Sequence, residues 1–104
     1  MIARLWRGVT PETKAEAYVD YLRRTGVRDC RATPGNRGVL VLRRSADGNA
    51  EFLFISLWES MQAIDTFAGP DVAKAVYYPE DASYPLELEP GVLHYDVPVG
   101  PEQV

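Results

Sequence analysis

Residues 38–58 read Gly38-Val39-Leu40-Val41-Leu42-Arg43-Arg44-Ser45-Ala46-Asp47-Gly48-Asn49-Ala50-Glu51-Phe52-Leu53-Phe54-Ile55-Ser56-Leu57-Trp58. A β-branched and leucine run over 38–44 leads into Ala46-Asp47-Gly48-Asn49, where Gly and Asn are available for positive φ, and a second extended run begins at Ala50. This predicts a hairpin of two strands, 38–44 and 50–58. In the second strand Phe52, Phe54, Ser56 and Trp58 fall on one face and Glu51, Leu53, Ile55 and Leu57 on the other. Both faces are apolar at its centre, so it is expected to be an inner strand with something packed on each side.

Upstream, residues 2–9 form a short apolar run read as the first strand, with Ile2, Arg4 and Trp6 on one face and Ala3, Leu5 and Arg7 on the other. Thr10 as N-cap and Pro11 at the next position predict a helix running to about Thr25, closed by Gly26, with Ala15, Tyr18, Val19 and Leu22 as its buried stripe. Downstream, a helix is expected from about Ser60 to Ala68 with Met61, Ile64 and Phe67 inward. Gly69-Pro70 ends it. A third short helix then carries Val72, Ala73 and Val76 and stops at Pro79. The acidic, proline-punctuated connection over 79–90 is long enough to suggest a lid over a pocket. Residues 91–97 form the last strand, with Val92, His94 and Asp96 on one side.

The element order is β-α-β-β-α-β, the ferredoxin-like plan of an α+β fold with an antiparallel four-stranded sheet. At 104 residues the chain is expected to be a single domain, residues 1–104. Two helical segments cover only one face of such a sheet. The apolar residues on the other face predict a homodimer with two sheets packed face to face.

Composition narrows the function classes. No apolar run approaches the roughly 18 residues that a membrane helix needs, and Arg4 and Arg7 interrupt the start where a signal peptide would be apolar. A cytoplasmic protein without membrane association is expected. Cys30 is the one cysteine and His94 the one histidine, so a disulfide framework or a multi-histidine metal site within one chain is not expected. Ten of the eleven basic residues precede Ser45, while eleven of the fifteen acids lie from Asp47 onward. Halves of opposite sign attract, within a chain or between chains. The net charge of −4 argues against binding nucleic acid. So does the absence of stacking aromatics at Val39, Leu40, Val41 and Leu42.

The run Phe54-Ile55-Ser56-Leu57-Trp58-Glu59-Ser60, followed by Ala63, Phe67 and Asp71-Val72-Ala73-Lys74-Ala75, resembles the antibiotic-biosynthesis monooxygenase family, a branch of the dimeric α+β barrel proteins. The Thr10-Pro11-Glu12 helix start, the turn at 34–38 and the final His94-Tyr95-Asp96-Val97 strand stand where that family has them. The resemblance implies a homodimer whose pocket, between sheet and helices, takes a small hydrophobic, aromatic or polyketide-like substrate. It also implies oxygenation of a deprotonated carbon with no cofactor. Trp58 matches that branch's pocket tryptophan. The asparagine expected four residues earlier is Phe54. The haem-degrading branch uses an asparagine on the first strand, a tryptophan on the second helix and a histidine ligand. Here those regions hold Trp6 and Arg7, Phe67, and Tyr77.

His94 is the natural general base, since it alone titrates near neutral pH. His94 and Trp58 are the catalytic candidates. Arg4, Trp6, Phe54, Phe67, Tyr77 and Tyr78 are the substrate-binding candidates, with no metal ligands among them. Arg4, Trp6 and His94 together could bind an anionic aromatic ligand, with Asp96 fixing the arginine. The structural alternative is an Arg4–Asp96 cross-strand pair with His94 at the dimer face. Tyr77 and Tyr78 either face the pocket or anchor the loop. A non-catalytic dimeric binding module is the competing function.

Overall fold

The structure, a computed structural model, describes residues 1–78, 81, 84 and 87–101. Strand β1 (Ile2–Pro11) leads through a 3-10 turn (Glu12–Lys14) into helix α1 (Ala15–Leu22), a π-helical turn (Arg23–Val27) and helix α2 (Arg28–Ala32). Strands β2 (Asn36–Ala46) and β3 (Asn49–Trp58) form the hairpin, helix α3 (Met61–Ala68) follows, and β4 (Glu87–Leu88) and β5 (Leu93–Asp96) end the described chain.

The sheet is antiparallel with β3 between β2 and β1. Both β4 and β5 lie on the far edge of β1, β4 opposite Gly8 and Val9 and β5 opposite Ile2 to Leu5. Together they occupy one position, so the four-stranded ferredoxin-like sheet has a fourth strand broken in the middle. The break is filled from outside. Lys74 bridges Gly91, the Val92 amide donates to the Ala73 carbonyl at 2.9 Å, and the Ala75 amide donates to the Pro90 carbonyl at 3.1 Å.

The hairpin turns on Asp47 and Gly48, with φ of 54° and 78°. Positive φ at both central residues gives the twist that matches the flanking strands. Asp47 rather than Asn49 takes the left-handed position, because Asn49 is already paired with Ala46 in the ladder.

Several expectations are corrected. β1 continues through Thr10 and Pro11, which pair with Ala50 and Asn49, so Thr10 is a strand residue and not a helix cap. The helix also runs past Gly26. A widened π turn carries it on to Ala32, and Gly26 is buried at the turn, where an added Cβ would stand 3.2 Å from the Phe54 ring. Close packing, not termination, accounts for this glycine. The third helix expected from 70 up to Pro79 is absent over the described residues 70–78, where Ala73, Lys74 and Ala75 pair with the broken strand. The lid expected over 79–90 lies largely outside the described residues.

On α3 the cap is as expected, with the Ser60 side chain accepting from the Ala63 amide at 3.1 Å. That cap sets the helix phase. Ala63 and Ile64 are buried with Trp58 and Cys30, whereas Met61 is exposed rather than inward. The larger core joins Ala15, Tyr18, Tyr21 and Leu22 of α1 to Ala50 and Phe52 of β3. Tyr21 takes the place expected for Val19, which is only partly buried.

The helices cover the face of Phe52, Phe54 and Trp58. On the opposite face Leu40, Leu42, Leu93 and Tyr95 are 45–57% exposed. The charge asymmetry is partly satisfied within the chain, by Arg7–Glu51 at 2.7 Å, Arg44–Glu51 at 3.1 Å and Arg37–Glu59 at 3.2 Å. These pairs are exposed enough to contribute little to stability. No helix among the described residues is long and apolar enough to cross a membrane.

Gly35 locks the α2–β2 turn against α3. Its φ is 92°, and a Cβ there would stand 2.5 Å from the Ala63 Cβ. Gly35→Ala is expected to lower stability by about 2–4 kcal/mol from backbone strain plus overpacking. Gly69→Ala, where φ is 82° and nothing lies within 4 Å, meets the backbone strain alone. Urea unfolding of the two variants checks the order; equal losses would refute the packing role of Gly35.

Candidate functional site

The face of the sheet under the helices carries alternate residues of β1 and β3, so Arg4 and Trp6 stand beside Phe54 and Ser56. Above them α1 brings down Leu22, the π turn brings Thr25 and Gly26, α2 brings Cys30, and α3 brings Phe67. A strap of residues 71–78 crosses the opening and contributes Ala75, Val76, Tyr77 and Tyr78. Between these lies a cavity of about 60 Å³ with almost wholly apolar walls.

Trp6 is laid flat along its own strand. Gly8 makes this possible, since a Cβ at that position would fall 2.3 Å from the indole ring. The indole N–H donates to the Glu89 carbonyl at 3.0 Å and to the Tyr77 hydroxyl at 3.2 Å, and the Tyr77 hydroxyl donates to the same carbonyl. The two rings meet edge to face at 6.3 Å. This clasp closes one side of the mouth.

Tyr78 closes the other. Its hydroxyl donates to the Asp29 carboxylate at 2.7 Å, and its backbone N–H donates to the Asp81 carboxylate. The bond from Tyr78 holds the Asp29 carboxyl below its ordinary range. Burial first, then the Asp29 partner, pushes the Tyr78 hydroxyl above its own. Tyr18 is likewise raised by burial. Both tyrosines therefore stay neutral donors at physiological pH.

Arg4 is 4% exposed. One terminal nitrogen donates to the Val72 carbonyl at 2.5 Å, and the other donates to the Lys74 carbonyl at 2.8 Å. His94 lies 3.2 Å from the guanidinium through Nε2. A guanidinium only donates, so that nitrogen accepts and the ring proton belongs on Nδ1. Burial, then the neighbouring Arg4, lowers the His94 pKa, which favours the same neutral form. The expected Arg4–Asp96 pair is not formed: Asp96 is exposed and stands opposite Ile2. No carboxylate among the described residues pairs with Arg4.

Arg4, Trp6, Phe54, Phe67, Tyr77 and Tyr78 thus line one cavity, and Trp58 and His94 do not. Trp58 is fully buried beneath it, donating to the Ser56 hydroxyl at 2.8 Å and lying 5.6 Å from the Phe67 ring. His94 sits behind Arg4 with its accepting nitrogen engaged, which argues against its expected role as a general base.

Sequence reasoning missed Thr25, Gly26, Cys30, Ser56 and Val92. Ser56 was within reach, since it alternates with Phe54 and Trp58 on β3. Thr25, Gly26 and Cys30 were hidden by reading Gly26 as the end of the helix. Cys30 is 1% exposed and its thiol is pushed up to about 12, chiefly by burial, so it lines the cavity as an inert apolar group. No group of three or more metal-ligating side chains converges among the described residues.

Comparison with solved structures finds the same architecture over nearly the whole chain. A candidate antibiotic biosynthesis monooxygenase from Bacillus cereus superposes with a TM-score of 0.67 at 16% identity, covering 95% of this chain and 94% of that one. A Mycobacterium tuberculosis protein gives 0.61 at 20% identity, covering 97% of each. The heme-degrader MhuD of Mycobacterium tuberculosis, with two hemes bound in its active site, gives 0.63 at 17% identity, covering 96% and 98%. At these identities the likeness establishes the fold alone. Among curated proteins no match is found. The family model for antibiotic biosynthesis monooxygenases matches residues 1–77, which include β1, the hairpin, α3 and most of the strap, and the chain belongs to that family.

Proposed function

We propose that this protein binds a small aromatic or polyketide-like molecule between its sheet and helices and oxygenates it without metal or flavin. The observation that carries this reading is the convergence of Trp6, Tyr18, Phe54, Phe67, Tyr77 and Tyr78 on one cavity that also holds a buried cation, Arg4. Flat rings suit a flat ligand, and the cation suits an anion formed by deprotonation. In the overall reaction one activated methylene and one dioxygen give one ketone and one water. The carbon loses both its hydrogens and is oxidised, its electrons reduce dioxygen, one oxygen atom stays as the ketone and the other leaves as water. The chain's share is to orient the ring, exclude water and hold the developing negative charge near Arg4.

Haem does not suit these residues. His94, the one histidine, is engaged behind Arg4, and the Tyr77 hydroxyl is held by Trp6 and Glu89. A non-catalytic binding module is the second reading. It is favoured by the engagement of His94 behind Arg4 and of the Asp81 carboxylate, which also lines the cavity, by the Tyr78 amide.

Oxygen uptake with anthrone-like and phenolic compounds separates the two. Turnover is expected, and Trp6→Leu is expected to reduce it about tenfold or more by removing both the ring wall and the clasp. Thermal stabilisation by the same compounds without uptake would instead select the binding module.

The open face of Leu40, Leu42, Leu93 and Tyr95 supports a homodimer built sheet against sheet. Sedimentation is expected to give twice the chain mass for the wild type and a monomer for Leu40→Arg with Leu42→Arg. A wild-type monomer at micromolar concentration refutes this interface.

His94 gives a pH signature. Because its folded pKa is depressed, the unfolded chain binds the proton first. Its contribution to stability is complete above about pH 6.5 and is lost as the pH falls through the lower folded value. The melting temperature should therefore drop as the pH falls below about 6.5, and His94→Gln should flatten that slope. Asp29 and Glu51, whose pKa values are also depressed, act in the separate window below about pH 4. An unchanged slope in His94→Gln would contradict the Arg4–His94 arrangement.

A further inference from the structure

At about 60 Å³ the cavity has room for a few water-sized groups, whereas pockets for drug-sized ligands run to roughly 300–1,000 Å³. The floor is sheet and the roof is helix, both tied into the two cores. Among the described residues the remaining wall is the strap of residues 71–78 with Asp81 and Val92, so room for a ring system is made by moving the strap.

What holds the strap is unusual. Its backbone pairs with the broken fourth strand at Lys74, Ala75 and Ala73. Three side-chain fastenings join this: the Trp6–Tyr77–Glu89 clasp, the Tyr78 hydroxyl on Asp29, and Arg4, which spends its terminal nitrogens on the Val72 and Lys74 carbonyls. The remaining partners of Arg4 are His94 and the ring of Phe67, 6.0 Å away. A buried cation whose partners among the described residues are all neutral retains most of its electrostatic demand. An anionic oxygen is a stronger acceptor for a guanidinium than a peptide carbonyl is. The same side chain therefore both fastens the strap and reaches the cavity.

We propose that Arg4 is a ligand-exchanged latch: the anionic oxygen of a carboxylate, phenolate or enolate takes the guanidinium donors from the Val72 and Lys74 carbonyls. The strap is thereby loosened around Val72 to Ala75, with its Tyr77 and Tyr78 fastenings kept, and the cavity enlarges around the ligand. A neutral ring of the same shape cannot make this exchange, so Arg4 sets specificity for the anion. This rests on the pocket reading above and adds to it the charge of the ligand and the route of entry.

The probes are 2-naphthoate and its neutral counterpart 2-naphthamide, titrated into the wild-type protein by calorimetry, with amide hydrogen exchange followed at Ala75 and Val92. Naphthoate is expected to bind about 10- to 100-fold more tightly and to accelerate exchange at both amides, and naphthamide to leave them unchanged. Arg4→Met should bind the two probes alike, and Arg4→Lys, which keeps the charge but loses the fork, should fall between. Equal affinity of both probes for the wild type overturns the latch while leaving the pocket reading intact, as does tight naphthoate binding with unaltered strap exchange. Failure of both probes to bind overturns the pocket reading and the latch with it. The wild-type comparison decides the matter even if Arg4→Met does not fold.

Discussion

A positive charge buried on β1 organises the cavity side of the molecule. Arg4 ties the strap to the sheet through two backbone carbonyls and fixes His94 in its neutral form. Removing such a charge from water costs several kcal/mol, and carbonyl dipoles return only part of that. The surroundings are built accordingly. The fourth strand breaks between β4 and β5 so that the strap can fill the gap. The strap's outer clasp, Trp6 with Tyr77 and Glu89, depends on the bare backbone of Gly8.

The part of the fold legible from sequence is the part held by local rules. The hairpin follows from Asp47-Gly48, α3 from Ser60, and the doubly apolar β3 from its alternation, and each is fixed by contacts within a few residues or along one ladder. The part that was not legible is fixed by distant neighbours. Gly26 has the chemistry of a helix stop, yet its lack of a side chain is used against Phe54, on a strand far along the chain. Residues 70–78 have the composition of a short helix, yet the Ala73 carbonyl and the Ala75 amide are claimed by Val92 and Pro90, and Lys74 bridges Gly91. Local preference is weak beside such tertiary demands.

The site followed the same division. Aromatic residues could be assigned to a pocket from strand parity and spacing, and those on β1, β3, α3 and the strap do surround the cavity. Roles assigned by chemistry alone fared differently. His94 has the right intrinsic pKa for a base, but one ring nitrogen is engaged by Arg4. Trp58 carries the family signature, but it acts from below, through Ser56 and Phe67. Titration and motif identify a residue type; the free lone pair or exposed edge that chemistry requires is a property of the packed neighbours.

Alternation along β1 and β3 also separates two surfaces by one layer of backbone. Arg4 and Trp6 face the cavity while Leu5 faces the open side; Phe54 faces the cavity while Ile55 faces outward. A second copy seated on the Leu40, Leu42, Leu93 and Tyr95 face therefore meets the ligand site only through the strands. A partner's influence would have to pass through β1 and β5, where Arg4 and His94 stand side by side on adjacent strands. That shared strand pair, like Phe54 and Ile55 on β3, is a place at which assembly could reach the cavity without contributing a residue to it.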